Sequence, residues 1–423
     1  MLSTLRNAWK VPELRKRFLW TIFLVAIFRI GIHIPVPGID TSALSTLTES
    51  GGLLSFYNLI SGGAFTKASI LALSVSPYIN ASIIMQLLTI AIPSLEQLSK
   101  EGEEGRKKIQ SITRYVSIGI ACVLALGVYS TIANLGATSG VGTLEKIVII
   151  FSLVVGSTFC MWLGDQITQK GFGNGVSILI FVNIVSQIPS TVNSVYTLKT
   201  AGEISIIEIL LFLVGVIALL AVTIFFSLAE RRVPIQYAGK AVGSKVMKGQ
   251  STHIPLSIIG SAVIAIIFAM SVMMFPTTIA AFFPSKGWAS WITSSKYSIF
   301  NTATWMYPVC YAVLTVFFTW FYTQITFKPD EMAENLHKSA GFVPGIRPGE
   351  ATEKYFEKLL TKVSIIGGLF AAFLAVTPIL VGKYISGVQF GGTSLLILIG
   401  VGLDFSRQLD SQLVMRHYQG FLK

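Results

Sequence analysis

The side chains of this sequence that could ligate a metal or attack a substrate are few and far apart. Four histidines, His33, His253, His337 and His417, stand at no spacing that brings two onto one ion. Cys122, Cys160 and Cys310 fall inside apolar runs, where a thiol acts as a small hydrophobe and buried packing is expected. So placed, they give no disulfide framework. The glycines of "GFGNG", 171–175, imitate a phosphate loop, but no strand precedes them and no Lys-Ser/Thr follows. A turn is expected there. What remains to the chain is noncovalent chemistry.

Two patterns could carry it. The first is "ASILALSVSPYINASIIMQLLTIAIP", an apolar stretch studded with uncharged polar groups. On a helix Ser76 and Asn80 share one face, Ser82 and Gln86 another, and Val75 and Ile79 form an aliphatic pair beside the first. Such a helix suits a wall that is partly wet and partly lipid-facing, and it equally suits hydrogen bonding between packed helices. The second pattern is basic. In "GFVPGIRPGE", 341–350, Pro344, Gly345, Pro348 and Gly349 stiffen a turn that presents Arg347. A solvated surface arginine and a docking contact both fit. "ERRVPIQYAGKAVGSKVMKGQ" carries Arg231 and Arg232 close to the membrane end and Lys240, Lys245 and Lys248 at a basic tip suited to RNA or to an acidic surface.

The elements that hold these residues follow from composition. The chain is 52% hydrophobic and only 12% charged, with 28 Phe and a mean hydropathy of +0.70. No soluble domain of ordinary composition reads this way, so a polytopic membrane protein is expected. Ten continuous apolar runs, about 20 residues being needed to cross the hydrocarbon, are predicted as spanning helices. They cover 18–37, 68–93, 111–133, 146–164, 176–197, 206–229, 254–275, 303–327, 363–381 and 393–406. The runs do not alternate with period two, which excludes barrel strands. The first follows "RNAWKVPELRKR" without a small-residue cleavage pattern and is read as retained.

With both termini in the cytoplasm, roughly 25 of the Lys and Arg fall on the cytoplasmic side and about six outside, as the positive-inside rule requires. That rule accounts for most of the +12 net charge, which is therefore no sign of nucleic-acid binding in itself. It also accounts for part of the charge at 230–252, although it does not require so long a loop. No Asp or Glu falls well inside a span; Glu208 and Asp404 lie near ends. Ion-coupled transporters use such carboxylates as relays, so this argues against a secondary transporter. An intramembrane enzyme would need a convergent Ser/His, Asp pair or metal set, and none is visible. Of the basic residues we place only Arg29, in "FRIG", within a span, where it serves structure or function. The segment "GGLLSFYNLISGGAF", 51–65, is apolar but too short to span. It reads as an interfacial helix or as a re-entrant element buried among the others.

An ordered series of motifs then carries a resemblance over nearly the whole chain. "FRIGIHIPVPGID" (28–40), "YNLISGGA" (57–64), "SPYINASIIMQLLT" (76–89), "KEGEEGRKKI" (100–109), "GNGVSI" (173–178), "QSTHIPL" (250–256), "FVPGIRPGE" (342–350) and "FGGTSLL" (390–396) occur in sequence. The chain resembles the SecY family, the central subunit of the bacterial protein translocase.

The resemblance implies an all-α fold of ten transmembrane helices in two pseudo-symmetric five-helix halves, 1–200 and 201–423, closed around an hourglass pore. It implies a passive channel, not an enzyme and without cofactors, for unfolded signal-bearing chains. Its implied pore ring is Val75, Ile79, Val176, Ile180, Ile267 and Ile397. Such aliphatic side chains gate by dewetting and offer an ion no ligands. The segment 51–65 becomes a plug, with Leu53, Leu54, Phe56, Tyr57, Leu59 and Ile60 as its apolar residues. Asn80 and Gln86 are assigned to a lateral gate between the second and seventh spans, which releases hydrophobic segments into the lipid bilayer.

Implied partners are the small subunits SecE and SecG, the motor ATPase SecA, the ribosome and preprotein signal sequences, in the bacterial cytoplasmic membrane. Docking falls to the loops 230–252 and 328–362, through Arg231, Arg232, Lys240, Lys245, Lys248 and Arg347. Departures from the family pattern are Gly239 and Ser244 where basic residues are common, and Ala262 and Ala265 where Gly and Pro are common. They imply a less charged tip, a seventh helix without its usual kink, and the weakest assignment for Ile267.

Overall fold

The computed structural model describes residues 9, 11–39, 58, 61–134, 142–202, 205–237, 241–242, 245–246, 251–260, 262–283, 286–301, 304–384 and 392–420. In chain order the helices are α1 (Pro12–Gly31), α2 (Ser76–Ala91), α3 (Pro93–Lys100), α4 (Glu103–Asn134), α5 (Thr143–Lys170), α6 (Gly175–Thr200) and α7 (Ile206–Leu228). After strands β1 (Glu230–Tyr237), β2 (Ala241–Val242), β3 (Lys245–Val246) and β4 (Ser251–Ser257) come α8 (Ala262–Phe282), α9 (Gly287–Ser294), α10 (Met306–Phe327) and α11 (Pro329–Lys338). Strand β5 (Gly341–Phe342), α12 (Glu350–Tyr384) and α13 (Gly392–Gly420) complete the chain.

Every predicted run falls on a helix: α1, α2, α4 to α8, α10, α12 and α13. Among the described residues seven helices are long and apolar enough to span a membrane. Counting α2 and α3, bent by 101° at their break, as one makes eight. In α7 only Thr223 is buried, and its hydroxyl donates to the Leu219 carbonyl at 2.7 Å. A helix apolar on every side with so little of it covered by protein is solvated by lipid.

Several boundaries differ from the sequence reading, and each has a cause. Residues 68–75 are not helical. Their backbone bonds instead to the chain beyond α1, with Val36 N–H donating to Ala68 O at 2.8 Å and Ile70 N–H to Ile34 O at 3.1 Å, while the Ser69 hydroxyl donates to Gly31 O at the end of α1 at 3.0 Å. Pro77, in the first turn, then sets the helix start. At 254–257 the predicted seventh span is strand, and α8 begins at Ala262. It runs as one helix through Ala262 and Ala265, both fully buried, so the missing Gly and Pro are filled by close packing.

Arg29 is not alone within a span. Arg114 lies in the third predicted run, on α4, and pairs with Asp165 of α5 at 2.8 Å. Of the cysteines only Cys160 is buried; Cys122 is exposed on α4 and Cys310 is intermediate. On a lipid-facing helix an exposed thiol is as well solvated as a methyl group.

The loop at 230–257 contains a sheet that the sequence reading missed. β1 pairs antiparallel with β4 from Glu230↔Ser257 to Gln236↔Ser251, and with β5 at Gln236↔Phe342 and Tyr237↔Gly341. Alternation of Val233 and Ile235, and of Ile254 and Leu256, was a legible signal, but Pro234 and Pro255 argue against strands. Both prolines are tolerated because β4 is an edge and β1 has a partner on one side only at Pro234.

Val233, Ile235, Leu256, Ala333, Leu336, Val343, Phe356 and Leu360 close over the sheet as a small core of their own. The two basic loops are therefore one body. Truncating its fully buried Phe356 should cost about 3–5 kcal/mol. In Phe356→Ala, limited proteolysis is expected to cut within 230–257 and 328–349 while the spans resist; an unchanged digest would show that this core does not hold the loops.

Candidate functional site

The aliphatic residues at the start of α2 and α6 arrive together for local reasons. Val75 caps α2 and accepts the Ile79 amide at 3.1 Å, which stacks the two side chains one turn apart. The "GFGNG" turn does the same for α6. Asn174 Oδ1 accepts the Ser177 amide at 3.2 Å as an N-cap. A Cβ on Gly175 would lie 2.0 Å from the Gly164 carbonyl, so α5 and α6 approach as closely as they do only with glycine at 175.

Val75, Ile180 and Ile397 are buried in a single apolar cluster against which Ile79 and Val176 pack. Five predicted ring residues, from α2 and its N-cap, α6 and α13, are brought together. Ile267 lies outside this cluster, where α8 contributes Val263, one turn earlier; the Ile267 carbonyl lies 2.9 Å from Ser271 Oγ and shares that hydroxyl's single proton with Asn80 Oδ1. Val263 carries no sequence signal, since only the rotation of α8 against α13 selects it.

Leu53, Leu54, Phe56, Tyr57, Leu59 and Ile60 lie outside the described residues. The chain at their C-terminal end is held by a polar seat. Asn58 Oδ1 accepts the Thr66 amide and hydroxyl at 3.1 and 2.5 Å, while its carbonyl accepts Gln187 Nε2 of α6 at 3.2 Å. Arg29 donates to Ser186 Oγ at 2.9 Å, which settles it as a group bonded across helices. Gly62 and Gly63 take φ of +68° and +86° against these groups, and a Cβ on Gly62 would sit 2.5 Å from Asn183 Oδ1.

The polar residues of α2 face two different helices. Asn80 Oδ1 accepts Ser271 Oγ of α8 at 2.8 Å, and Gln86 Oε1 accepts the Tyr322 hydroxyl of α10 at 3.0 Å. Ser76 Oγ is buried with no hydrogen-bond partner among the described residues. The seam from α2 to α8 and α10 is thus closed by single side-chain hydrogen bonds. Beyond it α3 comes within electrostatic reach of α11. The hydrogen bond from Lys100 at 2.7 Å, its charge and then that of Lys328 hold the Glu96 carboxyl below its usual range. These groups are exposed, so they orient the two helices more than they stabilise them.

The SecY family profile matches residues 69–406. Protein translocase subunit SecY of Rickettsia typhi (strain ATCC VR-144 / Wilmington) is 40% identical over 420 residues, 97% of this chain and 96% of that protein. That of Escherichia coli (strain K12) is 39% identical over 419 residues, 97% and 94% of the two chains. The chain belongs to the SecY family.

With that membership its function is that of a protein-conducting channel. The fold agrees. "The structure of a protein conducting channel" superposes with a TM-score of 0.66 at 18% identity over 97% of both chains. "Sec61 in the Canine ribosome-channel complex from the endoplasmic reticulum" gives 0.61 at 17%, again over 97% of each.

The predicted docking residues divide. Arg231 and Arg232 are exposed on β1, and Arg347 is exposed in the turn between β5 and α12. Lys245 lies on β3, whose pairing with β2 at Ala241↔Val246 and Val242↔Lys245 forms a small hairpin at the tip of the loop. Lys240 and Lys248 lie outside the described residues. The Arg114–Asp165 pair, and the Ser117 hydroxyl on Met161 Sδ at 3.2 Å, join α4 to α5 and were missed by the sequence reading. A cation and a carboxylate on neighbouring runs, each near one end, was the available signal.

Proposed function

We propose that an extended polypeptide crosses the membrane through the constriction of Val75, Ile79, Val176, Ile180 and Ile397, with Ile267 on the wall that α8 supplies. The observation that carries this reading is the one apolar cluster joining residues from α2, α6 and α13. Aliphatic groups make no sequence-specific demand, so such a ring closes around any unfolded chain and dewets when empty. Residues 51–65 act as the plug, seated through Asn58 on Gln187. The basic side faces the cytoplasm, with both termini, in the bacterial cytoplasmic membrane. The halves are 1–200 and 201–423.

The chain does no covalent chemistry of its own in this reading. SecA or the elongating ribosome docks on the sheet-borne arginines and supplies the driving force, while SecE and SecG complete the complex. A signal sequence leaves sideways through the α2–α8 seam, partitioning by its apolar transfer free energy. Because that seam closes on hydrogen bonds, each worth about 0.6 kcal/mol inside a membrane, Ser271→Ala is expected to raise the open-to-closed ratio about threefold. Translocation of a preprotein with a weakened signal should increase. No gain with the weak signal would remove the Asn80–Ser271 pair from the gate.

Reconstitution tests the whole reading. Sealed liposomes holding the chain, its small subunits and SecA, supplied with ATP and an unfolded signal-bearing preprotein, are expected to protect the preprotein from protease only when ATP is present. A folded complex that protects none would overturn it.

A further inference from the structure

Helix α8 meets the first half of the chain on α4 and α2, α13 meets it on α6, and two of the junctions between the halves are chemically unlike. At α2–α8 and α2–α10 the closure is polar: Asn80 with Ser271 and Gln86 with Tyr322. The other seam is aromatic. Phe172, in the turn between α5 and α6, is 1% exposed and stacks on Phe18 of α1 with centroids 5.0 Å apart. It also meets Phe405 of α13 edge-on at 4.8 Å, and Phe18 meets Phe405 at 5.6 Å. Leu14 and Leu409 are buried against the three rings.

The turn that carries Phe172 is fixed independently. The Phe172 amide donates to Thr21 Oγ1 of α1 at 3.0 Å, and a Cβ on Gly171 would lie 2.5 Å from that same oxygen. Gly173, at φ +81°, turns the chain beside Gln408 of α13. α13 also packs along α6. Val176, four residues after Phe172, and Ile397, two turns before Phe405, are both in the apolar constriction.

We propose that Phe18, Phe172 and Phe405 form a pivot that stays closed while the polar seam opens. The physical ground is what each seam can exchange. Asn80, Ser271, Gln86 and Tyr322 can give up one another for water or for the backbone of a passing chain, so their separation leaves no polar group unpaired. Three interlocked rings have no such substitute, because parting them exposes apolar faces and empties a packed site. The trio therefore keeps Val176 and Ile397 at a constant spacing, and widening of the constriction comes from α2 and α8. The aromatic rings act as positioning residues, and this assignment rests on the channel reading above.

Paired spin labels in the assembled translocase, with Cys122, Cys160 and Cys310 replaced by alanine, test it. One pair, at the exposed positions Lys16 and Gln408, reports on the trio; the other, at Ile84 and Val272, reports on the polar seam. With a preprotein jammed in the channel, the Ile84–Val272 distance is expected to lengthen while the Lys16–Gln408 distribution stays narrow and unshifted. In Phe405→Ala the Lys16–Gln408 distribution is expected to broaden and lengthen on jamming. Lengthening across the trio in the unaltered chain would overturn the pivot, as would a narrow, unshifted distribution in Phe405→Ala. If neither pair moves around a jammed preprotein, the gate assignment itself fails and the pivot with it.

Discussion

Arg347→Glu is expected to abolish ATPase-driven translocation while leaving the chain inserted and folded. The turn around Arg347 is built to hold the backbone and free the side chain. Val343 is buried in the small core, the Ile346 amide donates to Val343 O at 3.1 Å, and the Arg347 carbonyl accepts the hydroxyl of buried Thr352 at 2.8 Å. Gly345 and Gly349 take φ of +82° and +97° with open space around them, while Ile346 between them packs on the small core and anchors the tip. The exposed guanidinium makes no ion pair among the described residues.

An arginine on a fixed backbone loses little entropy when it forms a planar, bidentate contact, which is the profile of a binding hot spot. Its loss from such a spot costs about 2–4 kcal/mol, or roughly thirty- to a thousandfold in affinity, and reversal adds repulsion. Arg347→Lys should retain part of the activity, because the charge survives but the fork does not. Preprotein protected at the normal rate by Arg347→Glu vesicles, at equal levels of inserted protein, would remove the docking role.

The second large effect is expected from Ile79→Gly combined with Val176→Gly, which should turn a quiet channel into an ion-conducting one. Both side chains pack on the cluster that holds buried Val75, Ile180 and Ile397. Their loss from two neighbouring helix starts opens one continuous void instead of two separate ones, and the dry constriction admits water. Compensation by collapse is limited, since the turn before α6 is pinned to α1 and residues 68–75 are bonded to Gly31 at the end of α1 and to residues 34–36 beyond it. Planar-bilayer recordings should show frequent long openings that are rare in the unaltered channel. If conductance does not rise, the ring does not form the seal.

Much of this was legible in particular residues. Apolar runs announce spanning helices because lipid leaves backbone groups no partner outside the segment, so a long run has one structural solution. The ordered motifs placed the chain in its family, the i, i+4 pair at 75/79 was visible as an aliphatic face, and 176/180 came with the resemblance. The strands at 230–257 were half legible: the alternation was there, and the two prolines spoke against it until the open edges were known.

Other features had no local signal. Helix α2 starts at Ser76 and not near 68 because the intervening backbone bonds to the chain around residues 34–36, an arrangement that depends on where α1 ends in space. Val263 joins the apolar cluster that gathers the expected ring residues, where Ile267 was expected, through the rotation of α8. "GFGNG" was correctly a turn, yet nothing in it announced that Phe172 would sit between rings from both ends of the chain. The sequence by itself determined the solvent of each segment, and from it the spans, while its ordered motifs determined the family. The tertiary structure alone decided which side chains meet across the two seams, since contacts between residues hundreds apart depend on helix rotation and register, which hydropathy leaves open.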